Sequence, residues 1–490
     1  MSLRPTVALV LALALPLSAA RAQESIEGTW KAETVTPGVV ELTPYWLDIR
    51  PRESGDLTLT VRGDSFTVEL EGSYDASSRI ATFEDAGGRG LYAADLTWTD
   101  GRLVGEALVR GSRLAIDAAR STETGPTDRL VVDFSRPRPQ TVTREGLPEP
   151  LAARVLQEVQ GMMDEEGAVG LSLAVVVDGA IADVRSFGWE DHHEDVPASE
   201  KTMYRWASIG KPVTAVAALQ LAEAGALDLD EDVRTYVPSW PDKGARITSR
   251  QLLCHQGAIP HYQHLRPRTV RSYDLEHPWA DALVALDMFV ESDLVGEPGT
   301  LYSYSTPGYV LLGAVVEKAG EGTFPEQVAK RIAQPLGMST MQPDYGWVEI
   351  PHRATGYHRD GDRVVRSSED DISWKLAAGG WISTVEDLAR FGIGLMGPDL
   401  LTLETQLAMW EDQRLPSGES TGYGLGVGVR KLGGFRLLQH SGGQNKTSTY
   451  LVCAPELGLA VALMCNTQGV GLRDLGNGLL GALIRAAEED

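Results

Sequence analysis

The spacing of apolar positions divides the chain into two textures. From about Ser25 to Pro137 the period is two: "GDLTLTVRGDSFTVELEGSYD" alternates apolar and polar residues and is broken by Gly-Asp and Asp-containing turns. "YAADLTWTDGRLVGEALVRGSRLAIDAA" continues the pattern, with Asp100-Gly101 as a hairpin signal. Helical periodicity is absent here, so residues 23–137 are expected to form an all-β barrel or sandwich. "SRPRPQTVTREGLPEP", rich in proline and charge, predicts a linker over 138–150. Over 151–490 helical and strand patterns alternate. "LAARVLQEVQGMMDEEG" predicts an amphipathic helix, and "GLSLAVVVDGAIADVRSFG" a hairpin turning at Asp178-Gly179. "KPVTAVAALQLAEAGALDLDEDV" predicts a helix, "TSTYLVCAPELGLAVALMCN" a second hairpin, and "LRDLGNGLLGALIRAAEE" a terminal helix. Two early and two late strands around helices predict one sheet whose edges come from both ends of this domain.

Composition changes this picture little. The 490 residues suffice for two or three domains, and 43% hydrophobic with 23% charged residues is ordinary for a globular chain. The formal net charge of −24 argues against a nucleic-acid or anionic-membrane partner, because both require a basic face. At the N-terminus, Arg4, the apolar run "TVALVLALALPLSAA" and the small-x-small site Ala20 to Ala22 read as a signal peptide over 1–22. No later apolar run reaches membrane-spanning length, so the expected product is exported, periplasmic or secreted. Cys254, Cys453 and Cys465 are too few and too odd in number for a disulfide framework. "EDHHED" (190–195) reads as a charged turn, and no metal is expected there. "IEGTW" (26–30) resembles the Gly-x-Trp entry of lipocalin-like barrels.

Candidate chemistry begins at "YRWASIGKPV" (204–213). In a helix starting near Ser208, Ser208 and Lys211 sit one turn apart on one face. Pro212 then falls in the first turn or just past it, where its missing N–H forfeits at most the first helical bond. A serine at a helix N-terminus lies where unpaired N–H groups can stabilise an oxyanion. A desolvated lysine one turn on can take or hold its proton. A capping serine beside a solvated lysine would explain the proline equally well, so the pair needs company. Downstream, "EPGTLYSYSTPGYVLLGAVVEKAG" puts Tyr304, Ser305 and Thr306 in a loop before an apolar helix. "LLQHSGGQNKTSTYLVC" puts His440, Ser441, Gly442 and Gly443 on a strand with no side-chain bulk at the last two positions.

In this order the motifs resemble the serine β-lactamase and penicillin-binding family, specifically its class C branch. That branch carries Ser-x-x-Lys, Tyr-x-Asn, and a Lys-Thr-Gly or His-x-Gly strand. "LLCHQGAIPHY" (252–262), "AAGGWISTVEDLARF" (377–391) and "YGLGVGV" (423–429) are similar to segments between those motifs. The resemblance implies an α/β (α+β) fold, an antiparallel sheet flanked by helices, over 151–490. It implies that Ser208 is the acylated nucleophile, Lys211 its proton partner, and Tyr304 a phenolate base or an acid toward the leaving group. His440, when protonated, would help Lys211 to ionise Tyr304. The N–H groups of Ser208 and Gly443 would form the oxyanion hole, with Thr306, Ser441 and Gly442 against the substrate. No metal or organic cofactor is implied.

Two departures bear on the substrate. Thr306 stands where the family has Asn, and has no carboxamide to accept from Lys211 and donate to a substrate carbonyl together. His440 stands for the permanent cation of a lysine. Both fit D-aminopeptidase- or esterase-type members better than an efficient β-lactamase. The expected activity is that of an exported serine peptidase or amidase, of the D-amino-acid peptide or DD-peptidase type, with a carboxylesterase as the nearest alternative. A catalytically weak protein that binds peptidoglycan or a lipid is the alternative from another class.

Overall fold

The computed structural model describes residues 28–33, 45–52, the strands between 56 and 120, 131–262, 265–266, 277–367 and 370–489. The expected signal peptide and the Asp100-Gly101 turn lie outside the described residues. The described residues of the N-terminal unit form eight strands: β1 (Gly28–Glu33), β2 (Tyr45–Pro51), β3 (Leu57–Gly63), β4 (Phe66–Asp75), β5 (Ile80–Asp85), β6 (Tyr92–Thr99), β7 (Arg102–Val109) and β8 (Ser112–Arg120). Each pairs antiparallel with the next, and β1 closes on β8 from Trp30↔Arg120 to Glu33↔Asp117. Period-two alternation suits a barrel and a sandwich equally; closure, which removes both free edges, makes this a barrel. Its core holds Trp30, Leu47, Ile49, Leu57, Leu59, Leu70, Phe83 and Leu96, largely at the i, i+2 spacing of an inward face.

The second compact unit holds Asp128–Asp490. Its first elements are β9 (Gln140–Arg144), α1 (Glu149–Glu166), β10 (Gly170–Val177), β11 (Ala180–Asp191), β12 (Val196–Pro197), β13 (Tyr204–Arg205), α2 (Gly210–Glu223) and α3 (Thr306–Ala319). There follow β14 (Gln342–Pro343), β15 (Tyr357–Asp360), β16 (Arg363–Arg366), β17 (Trp381–Ser383) and α4 (Val385–Met396). The last are β18 (Gly428–Leu432), β19 (Phe435–Gln444), β20 (Thr447–Ala454), β21 (Leu459–Cys465) and α5 (Leu472–Glu489). The main sheet runs β12-β11-β10-β21-β20-β19-β18, and β9 adds to β11. The first strands therefore meet the last at the β10–β21 pair, in the middle of the sheet and not at its edges.

This sheet is covered on both faces, which is why its central strands read as unbroken apolar runs. On one face Leu171, Leu173, Val461 and Leu463 pack against Val155 and Val159 of α1 and Leu475 and Leu479 of α5. On the other, Ala174, Ala460 and Ala462 join the cluster of α2, α3 and α4. Their small size lets α4 approach closely: a Cβ on its Gly392 would lie 3.1 Å from Leu451. Among the described residues no helix is long and apolar enough to cross a membrane.

Residues 138–150 are not the expected linker. β9 pairs with β11 from Gln140↔Phe187 to Arg144↔Val184, and α1 opens with Pro148 at its N-cap and Pro150 in its first turn. The prolines mark where two elements begin, since proline suits a helix start and is kept out of strand interiors. Asp178 and Gly179 both adopt positive φ, 51° and 71°, as the two-residue hairpin turn requires. In "EDHHED" the Asp191 carboxylate accepts the N–H groups of His193 and Glu194 and shapes a turn.

Buried Arg205 ties β13 to its surroundings. Its Nε donates to Asp344 at 2.6 Å, and its Nη1 donates to Asp370 at 2.6 Å and to the Asn445 carbonyl at 3.3 Å. Arg205→Met should strand the buried Asp344 carboxylate with Arg353 alone, 3.1 Å away. The expected loss in denaturant unfolding is near the lower end of about 3–5 kcal/mol.

Candidate active site

From Thr202 to Leu219 every residue is buried except Ser208. The backbone explains this. β13 pairs with β17, a single 3₁₀ turn over Ala207–Ile209 follows, and α2 begins at Gly210. Ala207 has φ +47°, a left-handed conformation that costs a non-glycine residue about 1–3 kcal/mol. Its neighbours fix that kink. Trp206 donates its N–H to Trp381 O at 2.8 Å and its indole N–H to Ser383 Oγ at 2.6 Å, and accepts from Thr449 Oγ1 at 2.9 Å. Gly379 and Gly442 press on the same turn, where a Cβ would come within 2.5 Å of Ala207 O and Trp206 O respectively. The chain is thus held so that one hydroxyl faces outward. Pro212 is the third residue of α2, in the first turn, where no helical N–H bond is lost.

Lys211 lies fully buried beneath that hydroxyl. Its Nζ is 3.0 Å from Ser208 Oγ, 3.2 Å from Thr306 Oγ1 and 3.2 Å from Ala378 O. Among the described residues no carboxylate pairs with it, and burial holds its pKa well below the ordinary lysine value, with Lys375 adding repulsion. A neutral amine in this place can donate to Ala378 O and Thr306 Oγ1 and turn its lone pair to the Ser208 hydroxyl.

Tyr304 stands above the pair. Its ring centroid is 4.8 Å from Lys211 Nζ, and its hydroxyl hydrogen-bonds Ser208. Burial raises its pKa by more than that bond lowers it, so Tyr304 is a phenol. Ser305 caps α3 by accepting the Gly308 N–H at 2.9 Å, which orients Tyr304 and Thr306 on either side of the cap.

His440 joins the group from β19, with its ring centroid 6.4 Å from that of Tyr304. Its Nδ1 is 2.8 Å from Ser441 O and so carries the proton, leaving Nε2 to accept from Tyr423 OH at 2.9 Å. Burial, with Lys211 nearby, pushes its pKa down to about 3. His440 is therefore neutral, which corrects the expectation that it lends positive charge to Tyr304. Beyond it Ser441 is exposed, Gly442 is wedged against the Trp206–Ala207 turn, and a Cβ on Gly443 would meet nothing within 4 Å. β18 pairs with β19 only as far as Gly428↔Gln439, so this segment presents a free strand edge beside Ser208.

The fold thus gathers Ser208, Lys211, Tyr304, Thr306 and His440 from segments far apart in sequence. Sequence reasoning assigned no role to the Ala378 carbonyl, Tyr423, His255 or His261. A main-chain oxygen has no sequence signal, but the other three lie in the quoted segments "YGLGVGV" and "LLCHQGAIPHY".

Comparison with known proteins agrees with this architecture. Residues 155–484 match the Beta-lactamase family. The human serine beta-lactamase-like protein LACTB, mitochondrial, is 28% identical over 414 residues, covering 63% of this chain and 75% of its own. An octameric penicillin-binding protein homologue from Pyrococcus abyssi superposes with a TM-score of 0.58 at 26% identity, over 68% of this chain and 77% of that one. A D-stereospecific amidohydrolase from Streptomyces sp. superposes with a TM-score of 0.53 at 25% identity, over 65% and 95%. With a family match over most of its length and a serine and lysine in hydrogen-bond contact at the head of a buried helix, the chain belongs to the Beta-lactamase family and is an acyl-transfer serine hydrolase.

Proposed function

We propose that the protein is a serine amidase or peptidase working through an acyl-enzyme on Ser208. The observation that carries this reading is Lys211, buried 3.0 Å from Ser208 Oγ and without a carboxylate partner among the described residues. Lys211 as neutral amine takes the hydroxyl proton while Oγ attacks the substrate carbonyl. The oxyanion is held by the N–H groups of Ser208 and Gly443, the first at the positive end of α2. Tyr304, held as a phenol, gives its proton to the leaving amine and regains one from Lys211. Water then takes the place of the amine and releases the acid. No step calls on a metal or organic cofactor.

The substrate follows from charge. Neutral His440 offers no cation to a carboxylate beside the scissile bond, which favours an amide or N-terminal peptide bond over a carboxypeptidase substrate or a β-lactam. The likeness to a D-stereospecific amidohydrolase supports a D-configured acyl residue. Esterase activity is the second reading, favoured by Thr306, which has no carboxamide to grip an amide-bearing acyl chain. The apolar N-terminal run of 1–22 supports an exported enzyme. Steady-state rates on D- and L-amino-acid p-nitroanilides and on p-nitrophenyl acetate separate the readings. Turnover of the D-anilides is expected; turnover of the acetate alone would favour the esterase.

A further inference from the structure

Two histidines outside the proposed proton path hold the segment that carries Tyr304. The His255 carbonyl accepts the Ser303 N–H at 2.8 Å, and its Nδ1 accepts the Ser305 N–H at 3.1 Å. The residue between those two donors is Tyr304, whose ring centroid lies 4.2 Å from that of His255. The next donor, Thr306 N–H, reaches His261 Nδ1 at 3.3 Å, and the His261 ring stands edge-on to Tyr304 at 5.7 Å. Three backbone anchors, at Ser303, Ser305 and Thr306, thus end on one pair of histidines.

Each Nδ1 accepts from an N–H and must be unprotonated, which places the ring proton on Nε2. In His255 that Nε2 is buried with no hydrogen-bond partner among the described residues, and the residue adopts φ +58°. An unsatisfied buried donor costs about 1–3 kcal/mol, and left-handed backbone a comparable amount. A residue kept only to fill the core would need neither.

We propose that His255 and His261 are positioning residues, whose unprotonated Nδ1 atoms fix the Tyr304 hydroxyl over Ser208. Protonating His261 turns its acceptor into a donor facing the Thr306 N–H, and the segment is released. This rests on the reading of Tyr304 as the acid for the leaving amine. Burial, Lys211 and Lys375 bring the His261 pKa down to about 4, and Tyr262 and Tyr304 also face its ring. Around His255 stand Lys211, His261, His440, Tyr302, Tyr304, Tyr309 and Tyr423, and its pKa is held well below the ordinary value. No carboxylate appears in either set, so the clamp is intact at neutral pH.

The test compares substitutions that keep or remove an acceptor at the δ position. Asparagine keeps it, does not titrate, and tolerates left-handed backbone. His261→Phe is expected to lower turnover of an amino-acid p-nitroanilide by about 10²-fold, the effect of roughly 1 Å of misplacement. The loss on p-nitrophenyl acetate, whose leaving group departs without an acid, should be at least about ten-fold smaller. His261→Asn should restore most of the anilide activity, and its anilide-to-acetate rate ratio, in which the Lys211 titration common to both substrates cancels, should no longer fall near pH 4. Equal loss on both substrates in His261→Phe, or a ratio that still falls near pH 4 in His261→Asn, overturns the proposal. His255→Asn against His255→Leu repeats the comparison where folding allows. ¹⁵N-histidine NMR of the unsubstituted protein decides without turnover: unprotonated Nδ1 on both rings is expected, and an Nδ1–H on either overturns the clamp. An inactive protein with the expected tautomers would count against the amidase reading and leave the clamp standing.

Discussion

Lys211→Met is expected to lower kcat/KM by about 10²–10⁴-fold and, at neutral pH, to raise the stability of the fold. Both effects come from one feature, an amine buried against Ser208 Oγ, Thr306 Oγ1 and Ala378 O with no counter-charge among the described residues. In the unfolded chain the lysine is protonated up to its ordinary pKa of 10.5, whereas burial in the native state holds its pKa well below that value. Between the depressed native pKa and 10.5 the unfolded state therefore binds one more proton, and stability rises with pH by about 1.4 kcal/mol per unit. Methionine fills a similar volume without that linkage. The variant's unfolding free energy should be flatter across this window, and its advantage should vanish as the pH approaches 10.5. Denaturant unfolding at a series of pH values, beside kinetics, checks the pair of effects. A variant that loses activity and stability together would mean a charged, paired lysine.

Gly442→Ala is expected to damage both stability and turnover. Its Cβ would lie 2.1 Å from Thr449 Oγ1, 2.5 Å from Trp206 O and 3.0 Å from Ala207 Cβ. The first two atoms form the bond that pins the turn before Ser208 to β20, at 2.9 Å. The methyl must part them, at about 1–3 kcal/mol of overpacking. A shift of Ser208 by about 1 Å would cost about 10²-fold in kcat. Gly443→Ala is the stability control, because a Cβ there meets nothing within 4 Å. Thermal melts of both variants should show a fall in Tm for Gly442→Ala only. Equal melting temperatures would mean that β19 does not brace the turn.

The two textures of the chain were legible because patterning reports burial directly. Alternation marks the barrel strands, and unbroken apolar runs mark β10 and β21, which are covered on both faces. Patterning could not separate barrel from sandwich, since the deciding fact is the long-range β1–β8 pair. Nor could it see that prolines around 137–150 bound a strand and a helix and do not signal a free linker. In the site, Ser208, Lys211, Tyr304 and His440 stood out as motif residues. Their protonation states did not, because those depend on burial: His440 reads as a switchable cation in sequence and is neutral between Ser441 O and Tyr423 OH in the fold. The histidine clamp was hidden for a similar reason. "LLCHQGAIPHY" carries both residues, but their Nδ1 contacts exist only once this segment meets the loop before α3.

The central claim is that Ser208 is acylated, and intact-mass spectrometry of the folded protein after exposure to a fluorophosphonate tests it most directly. One adduct is predicted, mapping by peptide analysis to Ser208 and absent from Ser208→Ala. A folded protein that takes up no label, or labels at another residue, would contradict the account.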